Sequence, residues 1–191
     1  MSGHPTHPHD AAPGWSFCPQ CATRLETRLL RPGEPTRLAC PACDFILFLD
    51  PKVAAGCILE IDGRIVLLRR AIPPAVGKWV YPGGYVDRGE TVPAAAAREA
   101  LEEVCLQVEP RSLLGVYSYA GSPIVVVVYV AEVVGGMLAV GDEALEVRTF
   151  APEALPWNDL AFPSTFDALA DYLRRVHAME PPADATDPAP P

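Results

Sequence analysis

The chain has no apolar run long enough to cross a bilayer as a helix. Its longest, Ile124 to Val134, is about half the ~20 residues such a span requires. The valines of that run suit a buried strand. The N-terminus does not read as a secretory signal either: the first residues carry neither a basic nor an apolar segment. They hold His4, His7 and His9 among Pro and Gly, at no metal-ligand spacing. A cytoplasmic location and no membrane partner are therefore expected. Positive charge is in deficit, with 15 Lys and Arg against 24 Asp and Glu and a net charge of -9. The surface as a whole repels nucleic acid and anionic lipid. An anionic substrate then has to be attracted by a local Arg/Lys cluster or by a bound cation. No internal repeat is present. The six cysteines do not read as a disulfide framework: four form two C-x2-C pairs, and Cys57 and Cys105 stand apart in apolar segments.

With 191 residues there is room for one medium domain and a small accessory module. Residues 1–16 are polar and Pro/Gly-rich and predict a disordered tail. Residues 17–50 form a first unit with a cysteine pair at each end. Residues 51–178 form a second, and 179–191, made of Pro, Ala and Asp, again predict disorder. In the second unit, Val53–Ile61 and Arg64–Arg70 are strands joined by Asp62-Gly63, a two-residue hairpin signal. A short strand over 78–81 is followed by a loop at Pro82-Gly83-Gly84. A helix follows from Thr91 to Val104, with Pro93 tolerated in its first turn. Strands are expected at Leu113–Tyr119, Ile124–Val134 and Glu146–Phe150. A last helix starts near Ser164, which with Asp167 resembles a capping box, and runs to about Val176.

Cys18-Pro-Gln-Cys21 and Cys40-Pro-Ala-Cys43 are separated by eighteen residues. That is the spacing of a four-cysteine zinc ribbon, in which two knuckles meet at one tetrahedral ion. So short a unit has little core, so metal binding supplies much of its folding energy. Redox pairs would open a helix after a strand, and neither pair has that context. Four thiolates leave no open coordination position, so this zinc is structural.

The most informative stretch is Gly84-x5-Glu90-x7-Arg98-Glu99-x2-Glu102-Glu103. On a helix, Glu99, Glu102 and Glu103 fall within an arc of about 100°. Carboxylates so placed repel one another by a few tenths of a kcal/mol per pair, and a hard divalent cation such as Mg2+ relieves the conflict. A solvated acidic face would show the same spacing. The setting favours the cation: a glycine loop precedes the helix, Glu90 stands near its start, and Arg98 adjoins the cluster as a bidentate partner.

This segment resembles the Nudix box, G-x5-E-x7-R-E-U-x-E-E-x-G-U, where U is a bulky aliphatic residue. Gly84, Glu90, Arg98, Glu99, Glu102, Glu103 and Leu106 match it. Ala100 replaces a bulky residue, and Cys105 replaces the glycine that ends the helix in a left-handed cap. The resemblance implies an α/β Nudix fold, a mixed sheet sandwiched between helices, preceded by the zinc ribbon. It also implies Mg2+ or Mn2+ on Glu99, Glu102 and Glu103, Arg98 and Glu90 orienting the helix face, and hydrolysis of a diphosphate. The general base varies in the family; Glu146 is the first candidate here and Glu143 the second. Family members often dimerise, so a homodimer is compatible.

A zinc ribbon before a Nudix domain is similar to the NADH pyrophosphatases and to a shorter ADP-ribose/FAD pyrophosphatase group. The S-Q-P-W-P-F-P-x-S signature of the former is absent, while Asp159–Ser164 and Trp79–Tyr85 resemble the latter. FAD or ADP-ribose is favoured over NADH. The alternatives are a nucleoside triphosphate on the same site or a nucleotide sensor without catalysis. Arg69, Arg70 and Lys78 flank the glycine loop as candidate diphosphate contacts. Trp79, Tyr81, Tyr85, Tyr117 and Tyr119 are candidate ring partners, although any of these can equally serve the core.

Overall fold

The computed structural model describes residues 14–186 and residue 188, and the chain divides at Pro51 into two compact units. Most of the expected N-terminal tail, residues 1–13, lies outside the described residues.

The first unit is a hairpin of β1 (Glu26–Arg28) and β2 (Arg37–Ala39), antiparallel with Thr27 opposite Leu38. Its core is Cys18, Leu25 and Cys40, with Leu38, Cys43 and Phe45 packed beside them. So few apolar groups offset little of the chain entropy of folding.

In the second unit β3 (Lys52–Ile61) and β4 (Arg64–Arg70) form the expected hairpin. Asp62 and Gly63 both take positive φ, 51° and 72°, as the tight two-residue turn demands. The sheet runs β5-β4-β3-β8-β7, where β5 is Trp79–Val80, β7 Leu106–Ser118 and β8 Ile124–Gly136. β3 and β8 are parallel, from Lys52 opposite Ile124 to Leu59 opposite Ala131, and the other pairings are antiparallel. Two short strands complete it: β6 (Gly83–Tyr85) on β3 and β9 (Ala144–Phe150) on β4. Alternation along β3 and β4 sends side chains to two cores. Ile58, Ile65 and Leu67 pack with Leu169 and Tyr172 of helix α2 (Pro163–Tyr172). Cys57, Leu59, Val66 and Leu68 pack with Ala100 and Val104 of helix α1 (Val92–Val104). The result is the mixed sheet between helices that the resemblance implied. No helix among the described residues is long and apolar enough to cross a membrane.

Four local expectations change. Pro82-Gly83-Gly84 is not simply a loop, because Gly83 pairs with Gly56. A Cβ on Gly83 would stand 2.7 Å from the Gly56 Cα, so bare backbones are what allow this pairing. β7 starts seven residues before Leu113 and passes Pro110 through register shifts; an edge strand tolerates a proline at a bulge. No side chain caps α2. Its N-cap residue is Phe162, Pro163 takes the first position, and Asp167 instead accepts a 2.6 Å hydrogen bond from the Tyr119 hydroxyl. The described part of the C-terminal segment lies against the domain: Met179 and Ala185 pack on the α2 core, and the Thr186 N–H bonds Asn158.

Candidate active site

Helix α1 places the three glutamates. Thr91 precedes it in extended conformation, and Pro93 sits in the first turn, where its missing N–H costs nothing. Cys105 ends the helix at φ 59°, ψ 26°, with its N–H on the Leu101 carbonyl at 3.1 Å. The left-handed cap is thus formed by a cysteine at the glycine position, with the strain of a Cβ in that region.

Arg98 organises the helix face. Its Nε and Nη2 meet the two oxygens of Glu90 at 3.0 and 3.1 Å. Its Nη1 reaches Glu99 at 2.8 Å and Glu102 at 2.9 Å, and Nη2 also donates to the Tyr85 carbonyl at 2.9 Å. Glu90 is held below the usual carboxylate range by its hydrogen bond from Arg98. Glu103 is 5% exposed and accepts the Gly83 N–H at 2.8 Å. Burial pushes its carboxyl up to about 8, against the pull of that hydrogen bond. Burial also raises Glu99, partly offset by Arg98. Gly84 lies under Glu99: a Cβ there would stand 2.5 Å from the Glu99 carboxyl carbon, so the box glycine makes room for the carboxylate.

These glutamates face a cleft of about 850 Å³. Its other walls are β6, the turn at Ile72–Pro74, the start of α2, and the acidic pair Asp142 and Glu143. The loop carrying Glu143 is tied down by its backbone: Ala71 N–H donates to the Glu143 carbonyl at 2.9 Å and Gly141 N–H to that of Glu103 at 3.0 Å. Glu146 is not brought into this cleft; it lies opposite Arg69 on β9 and is ion-paired with Arg148. Of the basic candidates, Arg69 donates to the Gly77 carbonyl at 2.7 Å and Lys78 pairs with Asp159 at 2.7 Å, both outside the cleft. Arg70 lines it. Of the aromatic candidates, Tyr81, Tyr85 and Tyr119 line it, while Trp79 packs edge-on to Phe150 and Tyr117 bonds Asp171 in the core. Sequence reasoning missed Thr165 in the wall, and took Phe162 and Ser164 only as parts of a capping pattern and a family-like segment, although both line the cleft with the buried Tyr81. No period or motif marks the start of a helix as a cleft wall.

The four cysteines meet as their spacing implied. Their sulfurs all lie within 4.8 Å of one another, with Cys18–Cys43 at 3.6, Cys21–Cys40 at 3.5 and Cys21–Cys43 at 3.7 Å. The edge of a tetrahedron with Zn–S near 2.3 Å is roughly 3.8 Å, so the set fits that ion. Backbone N–H groups of Gln20 and Ala42 point at Cys18 and Cys40, both at 3.4 Å, and would stabilise thiolates. The glutamates are not gathered so tightly; among the described residues only the cysteines meet that spacing. Arg98 stands between Glu99 and Glu102, yet one oxygen of Glu99, Glu102 and Glu103 takes no hydrogen bond from any described residue. Spaced carboxylates with free oxygens fit divalent ions that keep several waters, rather than a closed cage.

Comparison with known proteins agrees with this geometry. The NUDIX domain model matches residues 50–172, and the Nudix N-terminal zinc-ribbon model matches residues 16–48. An ADP-ribose pyrophosphatase of Methanocaldococcus jannaschii is 39% identical over 132 residues, covering 67% of this chain and 76% of that protein. A crystal structure of a NUDIX hydrolase from Nitrosomonas europaea superposes with a TM-score of 0.81 at 38% identity, over 87% of this chain and 94% of that one. An NAD-capped RNA hydrolase of Stutzerimonas stutzeri is 29% identical over 86% of this chain, which spans 59% of that protein. The chain belongs to the Nudix hydrolases, as a diphosphatase with an N-terminal zinc-ribbon domain.

Proposed function

We propose that the chain hydrolyses ADP-ribose to AMP and ribose 5-phosphate. The observation that carries the substrate is the 39% identity to an ADP-ribose pyrophosphatase across 76% of that protein. The cleft supports it, being large enough for a dinucleotide-sized ligand. Glu99, Glu102 and Glu103 would hold Mg2+ or Mn2+, and Cys18, Cys21, Cys40 and Cys43 a structural Zn2+. A divalent ion bound to such carboxylates polarises phosphate oxygens and lowers the pKa of a bound water. The chain's own groups do the rest. Arg98 fixes Glu90, Glu99 and Glu102 in place, and the Gly83 N–H orients Glu103. Glu143, which lines the cleft where Glu146 does not, takes the proton of the attacking water. The water oxygen bonds to one phosphorus, the bridging P–O bond breaks, and the bridging oxygen leaves on the other phosphate.

A screen of ADP-ribose, FAD, NADH and nucleoside triphosphates with Mg2+ or Mn2+ tests this, with products separated by chromatography. ADP-ribose is expected to turn over fastest and Glu102→Gln to abolish turnover in a folded protein. Faster release of pyrophosphate from a triphosphate would overturn the substrate. Tight ADP-ribose binding with no turnover on any compound would mean a sensor. Glu143→Gln is expected to cost about 10²–10⁴ in kcat and Glu146→Gln less than tenfold; the reverse order would return the base to Glu146.

A further inference from the structure

The cleft is lined by six carboxylates, including the three helix glutamates with Asp142 and Glu143, against two guanidinium groups, Arg70 and Arg98. Arg98 is spent on protein partners through all three nitrogens. A dianionic diphosphate therefore meets a wall of its own sign unless another group offers donors. Arg70 is placed for this. Its Nε is held by the Pro74 carbonyl at 2.9 Å and its Nη2 by that of Ile72 at 3.4 Å. No described residue accepts from its Nη1, and it forms no ion pair among the described residues. Its guanidinium carbon lies 5.1 Å from the centre of the Phe162 ring, which orients the plane.

Phe162 is also the N-cap residue of α2, so the guanidinium sits beside the start of that helix. A helix start carries partial positive charge and unsatisfied N–H groups. Here the residue at the cap has no side-chain acceptor, Pro163 has no N–H, and no side chain caps the N–H of Ser164. A second and independent sign is Thr165. It is fully buried, lines the cleft, and its Oγ1 has no hydrogen-bond partner. Unsatisfied buried hydroxyls are uncommon and point to a missing partner.

We infer that Arg70 and the first turn of α2, through Ser164 N–H and Thr165 Oγ1, form one anion subsite that holds a phosphate of the substrate. The inference rests on the cleft being the diphosphate site proposed above, but it does not require ADP-ribose. Arg70 supplies a planar fork for phosphate oxygens, and the helix start supplies fixed donors. The subsite is a specificity device: it demands a phosphate group in a cleft that otherwise repels anions.

The test compares Arg70→Ala, Arg70→Lys, Thr165→Val and Arg69→Ala. KM and kcat are measured on ADP-ribose, with ADP and adenosine as competing inhibitors. Losing a charge-assisted contact should raise KM and weaken ADP inhibition about ten- to hundredfold for Arg70→Ala. Thr165→Val should cost roughly three- to tenfold. Arg70→Lys should recover part of the loss, because it keeps charge without the fork. Adenosine inhibition should not move, and Arg69→Ala should match the wild type. A general folding defect would weaken adenosine as much as ADP. Unchanged KM and ADP inhibition in both Arg70→Ala and Thr165→Val would overturn the subsite. If the wild type leaves ADP-ribose intact, the substrate proposal fails alone, and the same variants are read on whichever diphosphate compound it hydrolyses.

Discussion

Glu103 is a carboxylate almost without solvent, held by one backbone N–H and facing other acids. Burial lifts it from an ordinary 4.5 to about 8, and the nearby charges of Glu99 and Glu143 add to the rise. The folded domain thus binds this proton more tightly than the unfolded chain does. The stability it represents is complete below pH 4.5 and is lost as pH rises toward 8. At about 1.4 kcal/mol per unit, the interval from pH 5 to pH 7 removes on the order of 2–3 kcal/mol in the absence of Mg2+ and Mn2+. Glu103→Gln keeps an oxygen for the Gly83 N–H and cannot ionise. It should match the wild type within about 0.5 kcal/mol at pH 5 and exceed it by roughly 2 kcal/mol at pH 7. Part of the pH slope remains, because burial raises Glu99 too. Urea unfolding read by fluorescence suits the measurement, since Trp79 and Trp157 are 6% and 5% exposed in this domain. Adding Mg2+ at pH 7 should stabilise the wild type, by about 2.7 kcal/mol at a hundredfold excess over Kd, and leave the variant nearly unchanged. A Glu103→Gln protein less stable than wild type at pH 7, or with an identical pH slope, would refute the reasoning.

Other perturbations follow from the same geometry. Gly84→Ala puts a methyl against the Glu99 carboxyl and should lower kcat about a hundredfold or more, with the melting midpoint down by only a few degrees; unchanged kcat would show that Glu99 can move freely. Cys105→Gly removes about 1–2 kcal/mol of left-handed strain and adds roughly 0.5–1 kcal/mol of unfolded-chain entropy. A net gain of about 0.5–1 kcal/mol is expected in denaturant melts, and a loss would mean that the thiol's packing outweighs the strain. Cys40→Ser should abolish the bound zinc found by elemental analysis and speed amide exchange at Thr27 and Leu38 across the first hairpin; retained zinc would remove Cys40 from the ligand set.

The elements legible in the sequence are those whose signal is local. The Asp62-Gly63 turn needs two positive φ angles, and the cysteine knuckles and the α1 glutamates are set by spacing within one segment. What stayed hidden depends on partners far along the chain. Gly83 reads as a breaker until Gly56 lies opposite it, 27 positions earlier in the sequence. The start of β7 reads as a polar connection because Glu109, Pro110 and Arg111 mask it, and an edge strand has no need of an unbroken apolar run. The pattern at Ser164 and Asp167 is not used as a cap: the helix starts one residue earlier at Pro163, and Asp167 is taken by Tyr119.

The functional residues separate by strand parity, which sequence alone leaves undecided by one face. Val66 and Leu68 pack toward α1, while Ile65 and Leu67 pack toward α2. Arg70 therefore continues the α1 row, on the side of the glutamates, and Arg69 continues the row that meets Trp79 and Phe150. On β9, Glu146 stands opposite Arg69, and residues opposite one another in an antiparallel pair share a face. The same parity that removes Arg69 from the cleft removes Glu146. Glu143 escapes this constraint because it precedes β9, in the loop pinned to Ala71 and to the end of α1. Had Leu145 not added a residue between Ala144 and Glu146, where the register shifts against Arg69 and Arg70, Glu143 and Arg70 would stand in a different relation. Glu143 and Arg70 are thus placed relative to each other by one bulge. Deleting Leu145 should consequently cost activity at least as heavily as Glu143→Gln, and a deletion variant with wild-type kcat would break the argument.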